Sequence, residues 1–502
     1  MQRRASRILS LWAAVVVGIL VVSSASVSAV PISATSPSTW HLDRINQRVL
    51  PLDSNSDRGL LTGAGIDIYI VDSGTRADHV EFGGRTLAGI DVPSQTGTSV
   101  IDPPTSDCDG HGTHVAGLAA GATVGVAPGA RIVTVRVLDC NGDGEVDEVV
   151  TALRWVRAHH RSGVAAIVNL SLGVDLGDDG TAINEEVTAL INEGVVVTVA
   201  AGNGDSSGRG VDACRIAPGN VERALTVGAT TFTDARASYS NLGPCIDLWA
   251  PGGDRTRGVE SAWKDSATSY GLDIGTSMAS PMVAGLAALL AEQQPGLCVD
   301  QIASAIVQRA TPDVVSGLDA TSPNRMLFID TALVPIAAPG RPSHVIATAD
   351  RSSLVVSWDP PCNGGSPILG STVSLLRNNK VVKRVNVEGD ATAVRIGGLR
   401  DGTRYQIVVK PRNEVGDGVA SIRVLSPYVQ SIRVGRAVAL GALGRTDSGF
   451  SLIWSVSGSS KKICAIRPGS ARLVGLRSGT CRLGLRTLAG QQAVLRNIRI
   501  VP

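Results

Sequence analysis

Three short segments carry residue types that suit nucleophilic chemistry. In IYIVDSG (68–74) a carboxylate, Asp72, ends an apolar run. In DGHGTHVAG (109–117) His111 stands between glycines at the head of a small-residue helical pattern. In GTSMASP (275–281) Ser277 opens a second such pattern, and Pro281 falls early enough in it to be tolerated. A serine hydroxyl is a weak nucleophile until a base removes its proton. Imidazole does this near neutral pH, and a buried carboxylate fixes the imidazole tautomer and stabilises the imidazolium. Asp72, His111 and Ser277 supply those three parts at separations of 39 and 166 residues, so only a fold can assemble them. A fourth segment, AAGN (200–203), follows the apolar run 195–199. The amide of Asn203 could there donate to a developing oxyanion, an interaction worth roughly 3–4 kcal/mol in the transition state.

The surrounding pattern shows what must hold these groups. Apolar runs at 66–71, 132–138, 167–172 and 195–200 read as buried strands. Between them Val146, Val149, Val150, Leu153 and Val156 recur at helical spacing, as do Ile183, Val187, Leu190 and Ile191. Strand alternating with helix predicts an α/β fold, a parallel sheet covered by helices, with its site outside the carboxyl ends of the strands. Near residue 335 the chain turns linker-like. Beyond it only short alternating strands are expected, in two all-β sandwich modules at 340–428 and 429–502.

The 502 residues exceed one ordinary domain. A 43% hydrophobic and 18% charged composition supports a buried core. A net charge of +2 argues against a strongly basic nucleic-acid binder, and 3% aromatics against a stacking surface. At the N-terminus Arg3, Arg4 and Arg7 precede an apolar run from Ile8 to Val22 and a small-residue site ending at Ala29. This predicts a signal peptide over 1–29, no integral membrane span after its cleavage, export, and cysteines free to oxidise.

The four chemistry-bearing segments, in this order and at strand ends, resemble the subtilisin-like serine proteases (subtilases) over about residues 39–335. The resemblance implies that Asp72, His111 and Ser277 form the triad and that Asn203 is the oxyanion donor. It also implies that Ser171, Leu172 and Gly173, with Ala200, Ala201 and Gly202, line the primary specificity pocket. Gly142, Asp143 and Gly144 resemble the strand that pairs with extended substrate. Cysteine placement resembles the proteinase K branch and its aqualysin-type members, which implies Cys108–Cys140 and Cys214–Cys245 pairs. Each would close a loop worth about 3–4 kcal/mol. Residues 340–428 resemble a fibronectin type III module, with Trp358 on an early strand and Tyr405 as a tyrosine corner. Residues 429–502 resemble a bacterial immunoglobulin-like repeat, clasped by Cys464–Cys481. Cys298 and Cys362 either bridge the first domain to the first module or stay separate.

No cofactor is required for such chemistry, while structural calcium is an option. Asp247 resembles a calcium-ligating aspartate of the branch, together with carbonyls near Glu222 and Ala224. The run DCNGDG (139–144) imitates the start of a calcium hand loop, but the twelfth position is Val150 where a glutamate is needed. His114 reads as a helix-packing histidine, and His159 and His160 as surface residues. Only residues 30–39 separate the expected cleavage site from Trp40, so the long propeptide usual in relatives is not expected. The resulting expectation is a secreted, monomeric serine endopeptidase of broad specificity with an apolar leaning, acting on proteins or peptides. Its C-terminal modules would serve as spacers or contact cell wall or cell surface. The rival reading is a binding protein that keeps the fold idle.

Overall fold

The structure is a computed structural model. It describes residues 7–9, 38–92, 99–101, 107–160, 165–176, 180–350, 353–399, 403 and 405–426, and within 431–501 the strands given below with a few neighbouring positions. The expected signal peptide lies outside the described residues except for Arg7–Leu9, and so do residues 400–402 and 404 of the expected tyrosine corner. The chain divides into two units, one holding most of residues 1–334 and the other residues 158–163, 296–298 and 335–502. Among the described residues no helix is long and apolar enough to cross a membrane.

The first unit is built on a ten-stranded sheet. Eight strands run parallel, in the spatial order Arg325–Met326, Leu248–Pro251, Leu225–Thr230, Val195–Ala200, Ala166–Leu170, Asp67–Asp72, Arg131–Arg136 and Thr86–Asp91. An antiparallel strand closes each edge, Thr311–Pro312 on one side and Ser99–Ile101 on the other. The central strands are buried along their whole length, as continuous Val/Ile runs require when both faces are covered. The helices are α1 (Trp40–Ile45), α2 (His111–Ala120), α3 (Val146–His159), α4 (Thr181–Asn192), α5 (Thr276–Gln293) and α6 (Val299–Arg309).

The expected strands and helices are present, with altered ends. The run 132–138 leaves the sheet after Arg136, although Val137 and Leu138 stay buried. The Val137 amide makes the last ladder bond, to the Asp72 carbonyl at 2.8 Å, and the Leu138 amide turns onto the same oxygen at 3.3 Å instead of extending the ladder. All ten residues of α2 are buried, as are the first sixteen of α5. Small side chains make this close packing feasible. A Cβ on Gly112 would meet the Gly74 carbonyl oxygen at 2.1 Å, and one on Gly285 would meet the Val126 Cβ at 2.6 Å.

In the second unit, residues 346–426 form two sheets. One holds Ile346–Asp350, Ser353–Ser357 and Ala393–Ile396, the other Lys380–Glu388, Gly370–Arg377, Tyr405–Arg412 and Val424–Ser426. Leu354, Val356, Trp358, Val373, Ile407 and Val409 are among the residues of their common core. Trp358 is buried but follows its strand by one residue. Tyr405, at 5% exposure, opens a strand whose burial alternates with period two. Farther along, Ser431–Arg433, Gln492–Val501, Gly479–Arg486 and Ile453–Val456 form a four-stranded sheet. Ala437–Ala439, Arg472–Gly475 and Cys464–Ile466 form a three-stranded one. The Cys464–Cys481 disulfide ties these two sheets together.

All eight cysteines are paired. Cys108 bonds Cys140, Cys214 bonds Cys245, and Cys298 bonds Cys362. Both cysteines of the last pair fall in the second unit, so the bond lies within it. The short segment Gly296–Cys298 belongs to the second unit, where the Gly296 carbonyl also accepts from the amides of Asn363 and Gly364, both at 3.0 Å.

Candidate active site

Asp72 is the last residue of its strand, His111 the first of α2, and Ser277 the second of α5. The parallel sheet thus delivers the carboxylate at a strand's carboxyl end, and two helices that pack on each other carry the other two groups. His111 and Asp72 meet at 2.6 Å, Nδ1 to Oδ1, with both side chains at 1% exposure or less. The Ser73 amide donates to the same oxygen at 2.7 Å, which holds the carboxylate in place. Burial works against the charged imidazolium of His111. The Asp72 charge and hydrogen bond outweigh it, helped by Asp273 and Asp109, so the His111 pKa stands above its ordinary value.

Asp107, which the sequence reading did not single out, organises this corner. Its carboxylate accepts from the Gly110 amide at 2.8 Å, the Thr113 amide at 2.8 Å and the Ser73 hydroxyl at 3.0 Å. Ser73 Oγ in turn accepts from the Gly112 amide at 2.9 Å. Together with Ser73 and with Asp109, which accepts from the His111 amide at 3.0 Å, the acid satisfies the free amides of the α2 N-terminus and ties the helix to the residue after Asp72. Its signal in the sequence was an acid a few residues ahead of a helix start.

Ser277 is held by a reciprocal pair of bonds with Ser171. The Ser277 hydroxyl donates to the Ser171 carbonyl at 3.2 Å, and the Ser171 hydroxyl donates to the Ser277 carbonyl at 2.9 Å. The second bond follows from Pro281. Proline has no amide hydrogen, so the carbonyl four residues earlier, that of Ser277, lacks its helical donor and takes one from Ser171. Beneath lies a second group missed in the sequence, Asn169. It donates to Ser171 Oγ at 2.9 Å and accepts from Ser280 Oγ at 2.8 Å and Thr198 Oγ1 at 3.0 Å, joining two central strands to α5.

Asn203 stands beyond the Val195–Ala200 strand. Its Oδ1 accepts from both the amide and the hydroxyl of Thr276, each at 2.9 Å. That fixes the amide orientation and leaves Nδ2 as the donor toward Gly275, where an added Cβ would lie 3.3 Å away. Ser171, Leu172, Gly173, Ala200, Ala201 and Gly202 are all buried along the ends of these two strands. Gly202 takes φ +103°, a conformation side chains disfavour.

Asp143 and Gly144 begin the strand Asp143–Glu145, preceded by Gly142 at φ +78°. Arg7–Leu9 pairs antiparallel with it, Ile8 opposite Gly144 and Leu9 opposite Asp143. The Asp139 carboxylate accepts from the amides of Asn141 at 2.8 Å and Asp143 at 3.1 Å, so this loop is an Asx turn.

His114 is fully buried within bonding distance of the Val259 and Gly271 carbonyls, at 3.1 and 3.2 Å. Burial pushes its pKa down to about 3, so it stays neutral and packs. Burial pushes Asp273 the other way, up to about 8, against a smaller opposing pull from His111. Asp247 is also lifted by burial, to about 6, and accepts one bond, from the Thr226 amide at 2.8 Å. Among the described residues no three His, Cys, Asp or Glu side chains converge to hold a metal. A calcium ion at Asp247 would therefore draw its other ligands from carbonyl oxygens and water.

Residues 63–327 match the model of the Subtilase family, and residues 338–426 match that of the Fibronectin type III domain. The chain is 46% identical over 293 residues to an extracellular serine proteinase of Thermus sp. (strain Rt41A), covering 58% of this chain and 66% of that one. It is 41% identical over 289 residues to alkaline serine exoprotease A of Vibrio alginolyticus, covering 58% of this chain and 50% of that one. The chain thus spans less than two thirds of the length of these curated relatives. A solved structure of a cold adapted subtilisin-like serine proteinase matches with a TM-score of 0.53 and 39% identity, over 59% of this chain and all of that one. The match over more than half of the sequence, centred on the sheet and helices just described, makes this chain a member of the subtilase family.

Proposed function

We propose that the chain is a secreted serine endopeptidase. The observation that carries this reading is the buried 2.6 Å contact between His111 and Asp72, at a strand end, with Ser277 at the second position of α5. In this reading Ser277 attacks a peptide carbonyl. His111 takes the hydroxyl proton and then delivers it to the leaving amine. Asp72 keeps the proton on Nδ1 and offsets the imidazolium charge. Asn203 Nδ2 and a backbone amide near Ser277 bind the oxyanion. Water then hydrolyses the acyl-enzyme, with His111 again as base.

Substrate adds as a strand along residues 142–144, and the antiparallel pairing of Arg7–Leu9 on Asp143–Glu145 supports that strand's capacity to accept one. The buried, apolar lining from Leu172, Ala200 and Ala201 supports a broad specificity with an apolar leaning. Asp143 adds a bias toward basic side chains beside the primary position. Matched peptides bearing Lys or Glu there should be cleaved unequally, and equal rates would refute the bias. Calcium at Asp247 serves stability only. The enzyme acts as a monomer, and the C-terminal modules space it or contact the cell surface.

Covalent labelling with a fluorophosphonate tests the reading. Wild type should be labelled and Ser277→Ala should not. A folded wild-type chain that resists the reagent would instead support the idle binding protein.

A further inference from the structure

The net charge of +2 conceals a segregation. Residues 429–502 hold 12 of the 46 basic residues and one of the 44 acidic ones, Asp447, for a net +11. The remaining 428 residues therefore carry −9. Ten of the twelve are arginines, whose planar fork suits phosphate, sulfate and carboxylate groups better than the lysine point charge does.

Strand register gathers some of this charge on one face. Along Gly479–Arg486, Cys481 is fully buried and marks the inner face. Successive positions of a strand alternate between its faces, so Thr480, Arg482 and Arg486 occupy register positions on the face opposite Cys481. Arg499 pairs with Thr480 and, on its other side, with Ser431. Arg433 pairs with Val501, two positions from Arg499, and Arg482 pairs with Asn497, two positions the other way. All four arginines share the face opposite Cys481. Arg433, Arg499 and Arg482 make a diagonal across three strands at steps of about 7–8 Å, and Arg486 extends it by about 13 Å along its strand.

We propose that this arginine face binds an anionic extracellular glycopolymer, a carbohydrate chain bearing repeated carboxylate, phosphate or sulfate groups. The choice of a carbohydrate rests on the export in the reading above; the charge argument does not. Nucleic acid is disfavoured by the lack of a stacking platform. The aromatics of this segment are Phe450 and Trp454, and Trp454 pairs with Leu485 on the Cys481 face. A membrane surface is disfavoured because the face has no apolar stripe. Its aliphatic positions, Ile453, Leu495 and Val501, pair with Arg486, Gly484 and Arg433.

The test uses the full chain carrying Ser277→Ala, so that binding is read without proteolysis. It should bind immobilised heparin and alginate. Its log affinity should fall with log salt by about 0.7–0.9 per neutralised charge. A quadruple variant with Arg433, Arg482, Arg486 and Arg499 changed to Gln should bind at least tenfold more weakly, with a slope shallower by about 3. A second variant with Arg436, Arg445, Arg467 and Arg477 changed to Gln removes the same net charge outside those strands and should keep most of the binding. Circular dichroism and thermal melting establish that both variants are folded. Equal loss in the two variants would reduce the effect to net charge and overturn the face. Tighter binding to duplex DNA or to vesicles with 30% phosphatidylglycerol would overturn the carbohydrate assignment. Salt-sensitive self-association abolished by the first variant would assign the face to the acidic part of a second copy instead.

Discussion

Replacing Asn203 by Ala is the sharpest test of how the site stabilises charge. The Asn203 side chain receives two hydrogen bonds at 2.9 Å from Thr276, and the Thr276 hydroxyl also accepts from the Gly202 amide at 3.1 Å. Flipping the amide would turn its NH₂ group against the Thr276 amide, a donor that cannot accept, and sacrifice that bond. In the proposed reading the donor is therefore oriented before substrate arrives, and no reorganisation is needed during reaction. A preorganised donor of this kind acts on the oxyanion far more than on the ground-state carbonyl, so its loss should lower kcat and leave KM nearly unchanged. The expected loss is about 10²–10³ in kcat, or about 2.7–4 kcal/mol, a magnitude taken over from subtilisin, itself of this family. Thr276→Val, which keeps the amide donor and removes the hydroxyl one, should cost about one net hydrogen bond, near fivefold. The assay is steady-state kinetics on a chromogenic peptide, with melting temperatures to verify folding. A fall in kcat below about tenfold, or a rise in KM that accounts for the whole effect, would refute this assignment of Asn203.

Further predictions concern the carboxylates. Asp72→Asn should lower kcat by about 10⁴, because it stabilises the wrong imidazole tautomer. The wild-type kcat/KM should rise with pH as His111 loses its proton, with a midpoint above the ordinary histidine value; in Asp72→Asn burial is opposed only by the smaller pulls of Asp273 and Asp109, and the midpoint should fall. An unmoved midpoint would contradict the pairing. The raised pKa of Asp273 means that its protonated form stabilises the fold fully below the usual carboxylate pKa near 4. That contribution is lost as pH rises through about 8. Asp273→Asn should therefore melt at a higher temperature than wild type at pH 9 and show little gain at pH 5. Calcium should raise the wild-type melting temperature, by about 2.7 kcal/mol of stability at a hundredfold excess over Kd, and leave Asp247→Asn unmoved. An equal response of both proteins would place the ion elsewhere.

The candidate site was legible where chemistry forces a residue type into a local context. Asp72 after an apolar strand, His111 among glycines and Ser277 at a helix start each carry their own signal. Asp107 and Asn169 do not. Each is a polar residue whose partners come from other segments, and its importance lies in bonds that only the folded chain brings together. Strand ends were legible to within two residues. Val137 and Leu138 look like more strand because they are apolar and buried, yet the Val137 amide ends the ladder and the Leu138 amide turns onto the same Asp72 carbonyl. The charge of the last module was present in the sequence but cancelled in the total. Its placement on one face depends on register, which composition does not carry.

The burial of α2 and α5 bears on how the chain can change. Helices usually keep one wet face on which substitutions drift freely, but α2 has none and α5 gains one only near its C-terminal end. Even an added methyl at Gly112 would enter the space of the Gly74 carbonyl. A comprehensive mutational scan should therefore find α2 and the first sixteen residues of α5 almost barren of tolerated variants. In the proposed reading, room to evolve a new substrate preference lies instead in the strand-end loops and at Asn141 and Asp143, which are not buried, while Asp139, Cys140, Gly142 and Gly144 hold the turn between them.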